Sequence, residues 1–195
     1  MSNNMKAAVL YGKKDLRFET YSYPVMQSDE VLIKIVSNGL CGSDIHFYED
    51  GKLGPFTVDE PYIPGHEASG IIVEKGVKVP DEFKPGERVV IEPGIPCRKC
   101  KFCKTGRYNL CQQVTFLSAP PVNGTFAEYI SVPYDYVYLL PDSVSYEMGA
   151  LVEPVSVAIQ AFSRLKIQAG NSLTILGAGP IGLITLIAAQ AYGIS

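Results

Sequence analysis

Four of the chain's five cysteines lie within a short segment, and their spacing constrains the fold more than any other feature of the sequence. They form the pattern C-x2-C-x2-C-x7-C at Cys97, Cys100, Cys103 and Cys111. In a reducing compartment, thiols crowded in this way are typical of metal binding rather than of a disulfide framework. Four thiolates on one loop surround a zinc ion and leave no coordination position open. The pattern therefore predicts a structural zinc site, in a segment that we call the cysteine lobe (residues 94–112).

Basic residues surround these cysteines and admit a second interpretation, a zinc ribbon that binds nucleic acid. They are Arg98, Lys99, Lys101, Lys104 and Arg107. Against this interpretation, the basic run is short and the whole chain carries a net charge of −3. A cationic surface also complements the charge of about −2 on a zinc ion with four thiolate ligands. We therefore expect no nucleic-acid partner.

The fifth cysteine and one of the two histidines predict a second zinc site of a different kind. Cys41 lies in Gly-Leu-Cys-Gly-Ser-Asp-Ile-His, and His66 and Glu67 lie in Pro-Gly-His-Glu. A thiolate, an imidazole and a carboxylate are a ligand set for catalytic zinc, which keeps one position open for water or substrate. We expect Asp44 to accept the second N–H of the His66 ring. Each residue alone also fits a structural role, and Glu67 could lie beside the ligands rather than among them.

The order of secondary structure indicates a β-rich domain followed by the start of an α/β domain. Short β-branched runs between turn residues predict strands over 6–10, 30–36, 70–73, 87–91, 125–132 and 136–140. Many short strands of this kind favour a barrel or a sandwich. Further along, the sequence predicts a helical turn over 146–151, a helix from Pro154 to about 166, a strand over 172–176 and an apolar helix to about 192.

The glycine pattern Gly177-x-Gly179-x-x-Gly182 falls between this predicted strand and the last helix. In that context the glycines allow a tight turn and a close approach of a dinucleotide pyrophosphate. The acidic residue that separates NAD from NADP falls about 20 residues beyond the fingerprint, after Ser195, so the sequence admits either cofactor. Residues 167–195 carry no charge, but glycines divide them into pieces too short for the ~20 residues of a membrane span. No signal-peptide pattern is evident either, so we expect a cytoplasmic protein with no membrane partner.

Taken in this order, the motifs resemble those of medium-chain zinc-dependent alcohol dehydrogenases. Within that family, Gly-His-Glu-Ala-Ser-Gly, Ala-Pro-Pro-Val-Asn-Gly (119–124) and Glu-Pro-Val-Ser-Val (153–157) resemble the sorbitol (L-iditol) and xylitol dehydrogenase branch. The resemblance implies a GroES-like β-barrel catalytic domain over residues 1–153. The first part of an α/β Rossmann domain would follow over residues 154–195. The chain would then be the N-terminal part of an enzyme expected to form a homo-oligomer, a tetramer, at full length.

The resemblance also implies roles for single residues. Cys41, His66 and Glu67 match the ligands of the catalytic zinc ion, and Glu153 matches a carboxylate that reaches the metal or its bound water. On the residue pattern alone, Glu153 equally fits an acid at a helix start, which the helix dipole favours.

The relay and cofactor residues come from the same resemblance. Ser43 and His46 match residues that carry the hydroxyl proton to solvent, although they also fit a turn serine and a surface histidine. Pro180 and Ile181 join the three glycines of the cofactor turn, with Ile181 beside the nicotinamide half. One position departs from the pattern, because Phe47 stands where a tyrosine commonly follows the relay histidine.

These features lead to one favoured function and two alternatives. The favoured function is transfer of a hydride from a secondary hydroxyl of a polyol to NAD or NADP, which gives a ketose. The first alternative is a threonine or butanediol dehydrogenase of the same family. The second is a zinc-binding structural fragment without activity of its own.

Overall fold

The structure is a computed structural model that describes residues 4–195 of the chain. The chain divides into two compact units, the first ending at Ala150 and the second comprising Leu151–Ser195. This division falls three residues before the boundary at residue 153 that the sequence indicates.

The first unit is built mainly of short strands and loops. Its strands are β1 (Asn4–Gly12), β2 (Asp15–Ser22), β3 (Glu30–Asn38), β4 (Lys52–Leu53), β5 (Phe56–Thr57), β6 (Ala68–Lys75), β7 (Arg88–Ile91), β8 (Gly94–Ile95), β9 (Thr115–Phe116), β10 (Tyr129–Pro133) and β11 (Val137–Leu139). Its helices are α1 (Gly42–Asp50), α2 (Lys101–Lys104) and α3 (Tyr146–Ala150).

The central sheet of this unit has five antiparallel strands in the order β10-β3-β6-β7-β11. Strands β1 and β2 form a separate antiparallel pair, which single bridges at Ala7–Ala127 and Leu10–Tyr62 join to neighbouring loops. Within the described residues, the five-stranded sheet and the β1–β2 pair are therefore not joined by continuous strand pairing into a closed barrel. Fully buried Val31, Ile33 and Ile72 lie at the centre of the core.

The predicted strand over 125–132 begins later than expected, at Tyr129. The N–H groups of Thr125 and Phe126 donate instead to the carbonyl oxygens of Gly65 and Pro64, at 2.9 Å each. Thr125 and Phe126 are therefore not part of the sheet. Their backbone N–H groups support the bend that carries His66. The other five predicted strands of this unit each overlap an observed strand.

The second unit contains two helices, α4 (Val152–Leu165) and α5 (Pro180–Ala191). Helix α4 begins two residues before Pro154, which still lies in the first turn, where a missing N–H breaks no intrahelical hydrogen bond. The core of the unit is a cluster of five buried residues, Ala158, Phe162, Ala188, Ala189 and Ile194. Within residues 4–195, no helix has the length and apolar character that a membrane crossing requires.

The strand predicted over 172–176 is wrong in this structure, where the segment has no strand assignment. A strand needs a neighbouring strand to receive its backbone N–H and C=O groups. Here the N–H of Leu173 donates to the carbonyl of Ser195 at 2.7 Å, and the N–H of Ser195 donates to the carbonyl of Asn171 at 2.9 Å. This pairing is too short to form a ladder.

Candidate metal centres

Three potential metal ligands meet in the first unit. The ligand atoms of Cys41, His66 and Glu67 all lie within 4.8 Å of one another. His66 and Glu67 are buried and Cys41 is half-buried. Ligand atoms of one tetrahedral zinc ion lie roughly 3.3–3.8 Å apart, so small side-chain adjustments would bring all three to a single ion. The donor set and its spacing fit a catalytic zinc site.

The start of helix α1 fixes Cys41. This residue is the N-cap, with extended backbone, and Asp44 occupies the third helical position. The Asp44 carboxylate accepts the backbone N–H of Cys41 at 3.0 Å, and the N–H of Asp44 donates to the Cys41 carbonyl at 3.1 Å. The first of these hydrogen bonds is the half of a capping box in which the third helical residue accepts the N-cap N–H, and it satisfies a donor at the helix start.

A bend at Gly65 positions His66. Gly65 has a φ of +94°, in the left-handed region, and a Cβ there would lie 2.5 Å from the ring of Phe126. Its N–H donates to the hydroxyl of Ser118 at 2.9 Å, and the Asp44 carboxylate lies 3.2 Å from the same nitrogen. Only glycine meets both the conformational and the spatial requirement.

The role predicted for Asp44 is wrong in detail. Its Oδ1 atom lies 4.0 Å from Nδ1 of His66, which is longer than a hydrogen bond. The carboxylate is instead engaged by closer donors, which are the N–H groups of Cys41 and Gly65 and the hydroxyl of Ser118. Asp44 therefore connects the loops that carry the two ligands through their backbone. Ser118 has no motif that could have marked it in the sequence.

The surroundings of Cys41 favour its thiolate. The pKa of this thiol lies below its ordinary value, mainly because the His66 side chain hydrogen-bonds the sulfur and, to a smaller extent, because Ser43 does so. The His66 ring is also held by Phe116 of β9, edge to face at 5.6 Å between ring centroids. A lowered thiol pKa favours metal binding, since the thiolate is the ligand form.

The predicted relay residues both lie on helix α1, one turn apart. Ser43 is half-buried, whereas His46 is exposed, with its Nδ1 atom 3.4 Å from the carboxylate of Asp50. The Phe47 side chain is not part of the candidate metal site. It is buried against Leu10 and packs edge to face on Tyr62, with 6.1 Å between the ring centroids.

The four sulfurs of the cysteine lobe also fit one ion. Sulfur separations are 3.9 Å for Cys97–Cys103, 3.4 Å for Cys100–Cys103 and 3.9 Å for Cys100–Cys111. A regular tetrahedron with Zn–S bonds near 2.3 Å has edges of about 3.8 Å. Backbone N–H groups point at the sulfurs, and the hydrogen bond from Lys99 is the main reason that the pKa of Cys97 is lowered. The lobe is therefore shaped for thiolates around a metal.

Side chains attach the cysteine lobe to the five-stranded sheet. Arg98 donates to the carboxylate of Asp135 at 2.6 Å, lies 3.7 Å from that of Asp29 and stands over the ring of Tyr136. From the other end of the lobe, Tyr108 packs edge to face on the same Tyr136 ring. The basic residue that follows the first lobe cysteine thus makes contacts within the protein.

The second unit carries the predicted cofactor turn. Gly177 has a φ of +118°, and a Cβ on Gly182 would overlap the Gly177 carbonyl oxygen, so both positions require glycine. Gly179 is the N-cap of α5 and Pro180 its first residue. The N–H groups at such a helix start form a site for an anion. Ile181 is partly exposed beside them.

Glu153 lies in the first turn of α4, in the second unit, and is half-buried. An acidic side chain is favoured there by the helix dipole. Its part in the chemistry stays a prediction.

Comparison with known proteins identifies the family. The family model described as the alcohol dehydrogenase GroES-like domain matches residues 27–142, more than half of the chain. The chain belongs to this family, and the expected GroES-like fold is confirmed. The sequence motifs had also indicated a resemblance to the sorbitol and xylitol dehydrogenase branch of this family.

Among the curated relatives, sorbitol dehydrogenase of Bacillus subtilis (strain 168) is 50% identical over 190 residues, which are 97% of this chain and 54% of the relative. Sorbitol dehydrogenase of Rattus norvegicus is 45% identical over 187 residues, 96% of this chain and 52% of the relative. Galactitol-1-phosphate dehydrogenase from Escherichia coli superposes with a TM-score of 0.89 at 35% identity, over 97% of this chain and 54% of that structure. The chain thus spans about half the length of the curated relatives it matches.

Proposed function

We propose that the protein containing this chain is a zinc-dependent polyol dehydrogenase. It would transfer a hydride from a secondary hydroxyl of a polyol to NAD or NADP and release a ketose. The observation that carries the proposal is the convergence of a thiolate, an imidazole and a carboxylate within 4.8 Å, on loops that Asp44 connects. Relatives named for sorbitol and D-xylulose support the substrate class.

In this proposal Cys41, His66 and Glu67 hold one zinc ion, and the four lobe cysteines hold another. The first ion supplies a Lewis acid that lowers the pKa of a substrate hydroxyl. The lobe site has four protein ligands, so it holds structure and does no chemistry. A zinc-binding dehydrogenase from Sinorhizobium meliloti that was solved bound to NADP is among the similar structures, and it supports a nicotinamide cofactor.

The chain's own residues would then move the proton and bind the cofactor. Ser43 would pass the hydroxyl proton along α1 to His46, which is exposed and can release it to water. Residues three apart on a helix lie on one face, so the transfer stays on one side of α1. Glu153 would contact the substrate or the water at the metal. The glycine turn at α5 would receive the cofactor pyrophosphate.

A substrate panel tests the proposal in the whole enzyme. We expect kcat/KM for sorbitol and xylitol to exceed that for ethanol, threonine and 2,3-butanediol by at least about tenfold, which is 1.4 kcal/mol of transition-state binding. His66→Ala should abolish turnover and leave the lobe zinc bound. Higher kcat/KM for ethanol, threonine or butanediol than for both polyols would overturn the polyol assignment.

A further inference from the structure

Gly39 lies directly against the Glu67 side chain, and we propose that it is a positioning residue for the Glu67 carboxylate. A Cβ on Gly39 would overlap Glu67 Oε2 and would lie 3.0 Å from Glu67 Cβ and 3.2 Å from Cδ. Non-bonded carbon and oxygen atoms approach to about 3.3 Å at closest. The space left by the missing side chain is therefore the space that the carboxylate occupies.

The backbone around Gly39 cannot move aside to relieve such an overlap. The Gly39 N–H donates to the Glu67 carbonyl at 2.7 Å, and the preceding Asn38 pairs with Ala68 at the end of the β3–β6 ladder. The Asn38 amide also donates to the carbonyl oxygen of Thr125 at 2.7 Å and lies 2.9 Å from its hydroxyl. An added methyl group would therefore displace the Glu67 side chain rather than the strands.

Conformation does not explain the glycine at this position. The described glycines with positive φ do not include Gly39, so its backbone is open to any L-residue. Glu67 is buried, with 8% of its surface exposed, so its carboxylate has little free space to enter. The position of the Glu67 side chain therefore requires glycine at position 39. Glu67 in turn lies in the cluster with Cys41 and His66.

This inference rests on the proposed function only in taking Cys41, His66 and Glu67 as one ligand set. If Gly39 sets the carboxylate's position, Gly39→Ala should weaken metal binding at this site at least about tenfold. It should leave the cysteine lobe loaded. The effect should be much smaller once the carboxylate is gone, because the overlap with Glu67 Oε2 disappears and only the 3.0 Å approach to the Cβ at position 67 remains.

A double-mutant cycle with two metal readouts provides the test. Wild type, Gly39→Ala, Glu67→Ala and the double variant are loaded with ¹¹³Cd, and affinity is measured by chelator competition. The ¹¹³Cd resonance of the four-thiolate lobe serves as an internal reference for the second resonance. Gly42→Ala is the matched control, because a Cβ on Gly42, three residues further on at the start of α1, has no atom within 4 Å.

The expected result is a shifted second resonance and weaker binding in Gly39→Ala, with less than twofold change when the same substitution is added to Glu67→Ala. Recovery of folding in the double variant, where Gly39→Ala alone fails to fold, supports the inference equally. An equal effect in both backgrounds, wild-type behaviour of Gly39→Ala, or failure of both variants to fold would overturn it. If wild type retains only the lobe ion, the proposed function falls, and this inference falls with it.

Discussion

The Asp44 carboxylate joins three separate segments of the first unit at one buried point. It receives the N–H of Cys41, the N–H of Gly65 and the hydroxyl of Ser118. Only 4% of its surface is exposed. Hydrogen bonds to a charged acceptor are stronger than neutral ones, and buried donors that lose their acceptor are costly. At the scale of single residues, Asp44 therefore controls how close the two ligand loops lie.

Asp44→Asn tests this role, because it keeps the shape of the side chain and removes its charge. We expect the free energy of unfolding to fall by about 1–3 kcal/mol, since an amide cannot accept at all three positions. The metal at Cys41, His66 and Glu67 should be lost at lower chelator concentration than in wild type. Chemical denaturation and zinc analysis measure the two effects. Asp142→Asn, at a fully exposed carboxylate, is the control. Equal behaviour of the two variants would contradict the assignment.

The residues of the candidate metal site could be picked out from the sequence, whereas the residues that hold them in place could not. Cys41, His66 and Glu67 were recognisable because metal ligands come from few residue types at characteristic spacings. The parts played by Ser118 and Gly39 depend on contacts across 53 residues (Ser118 to Gly65) and across a strand pair. No local pattern records such contacts. For the same reason the sequence predicts a contact of Asp44 with the His66 ring, although its hydrogen-bond donors are the Ser118 hydroxyl and two backbone N–H groups.

At the scale of elements, strands rich in β-branched residues were predictable, whereas strand β2, which has eight residues but only one β-branched residue, was not. Strand β3 has four β-branched residues among its nine and strand β7 has three among its four, and that composition marks a strand. The pairs β4–β5 and β8–β9 have two residues in each strand, too few for any alternation to show. The segment 172–176 has strand composition, but its state depends on a neighbouring strand that composition does not supply.

The attachment of the cysteine lobe leads to a prediction about Arg98. Arg98→Ala removes its contacts with Asp135, Asp29 and the Tyr136 ring. The three charged side chains are 40–44% exposed, and exposed ion pairs contribute little, so we expect a loss of only about 0.5–1 kcal/mol. Proteolysis within the lobe should nevertheless accelerate, because the lobe opens more readily from the sheet.

Lys99→Ala is the control for Arg98→Ala, since it removes a charge from the neighbouring exposed position. Limited proteolysis followed by mass analysis of the fragments gives the cleavage rate in residues 94–112. High salt should reduce the difference between wild type and Arg98→Ala, because salt screens exposed charges. Identical cleavage rates in the Arg98 and Lys99 variants would show that Arg98 does not hold the lobe.

At the scale of the whole molecule, residues 4–195 contain two candidate metal centres in the first unit and the predicted cofactor turn in the second. The two centres share no ligand, so we expect purified protein to approach two zinc ions per chain. Cys111→Ser should remove the lobe ion and lower stability by several kcal/mol, because the lobe has a structural metal in place of a core. Cys41→Ser should remove the other ion at a smaller cost.

Zinc analysis and thermal unfolding of these two variants distinguish independent centres from coupled ones. Independent centres leave one ion in each variant. Loss of both ions from either variant would mean that the lobe and the ligand loops fold as one. The Phe116 ring, which follows the lobe and contacts His66, is the route by which such coupling would act.

The strand pair β8–β9 places the start of the cysteine lobe beside the residues that follow it, with Gly94 opposite Phe116 and Ile95 opposite Thr115. A segment that leaves and re-enters its domain through one such pair can change in length without altering the surrounding register. We therefore expect residues 96–114 to behave as an insertion that tolerates changes in length during evolution. Related chains are expected to differ most in this insertion, in length as well as in metal content. We expect this variation to end before Phe116, because that ring contacts His66.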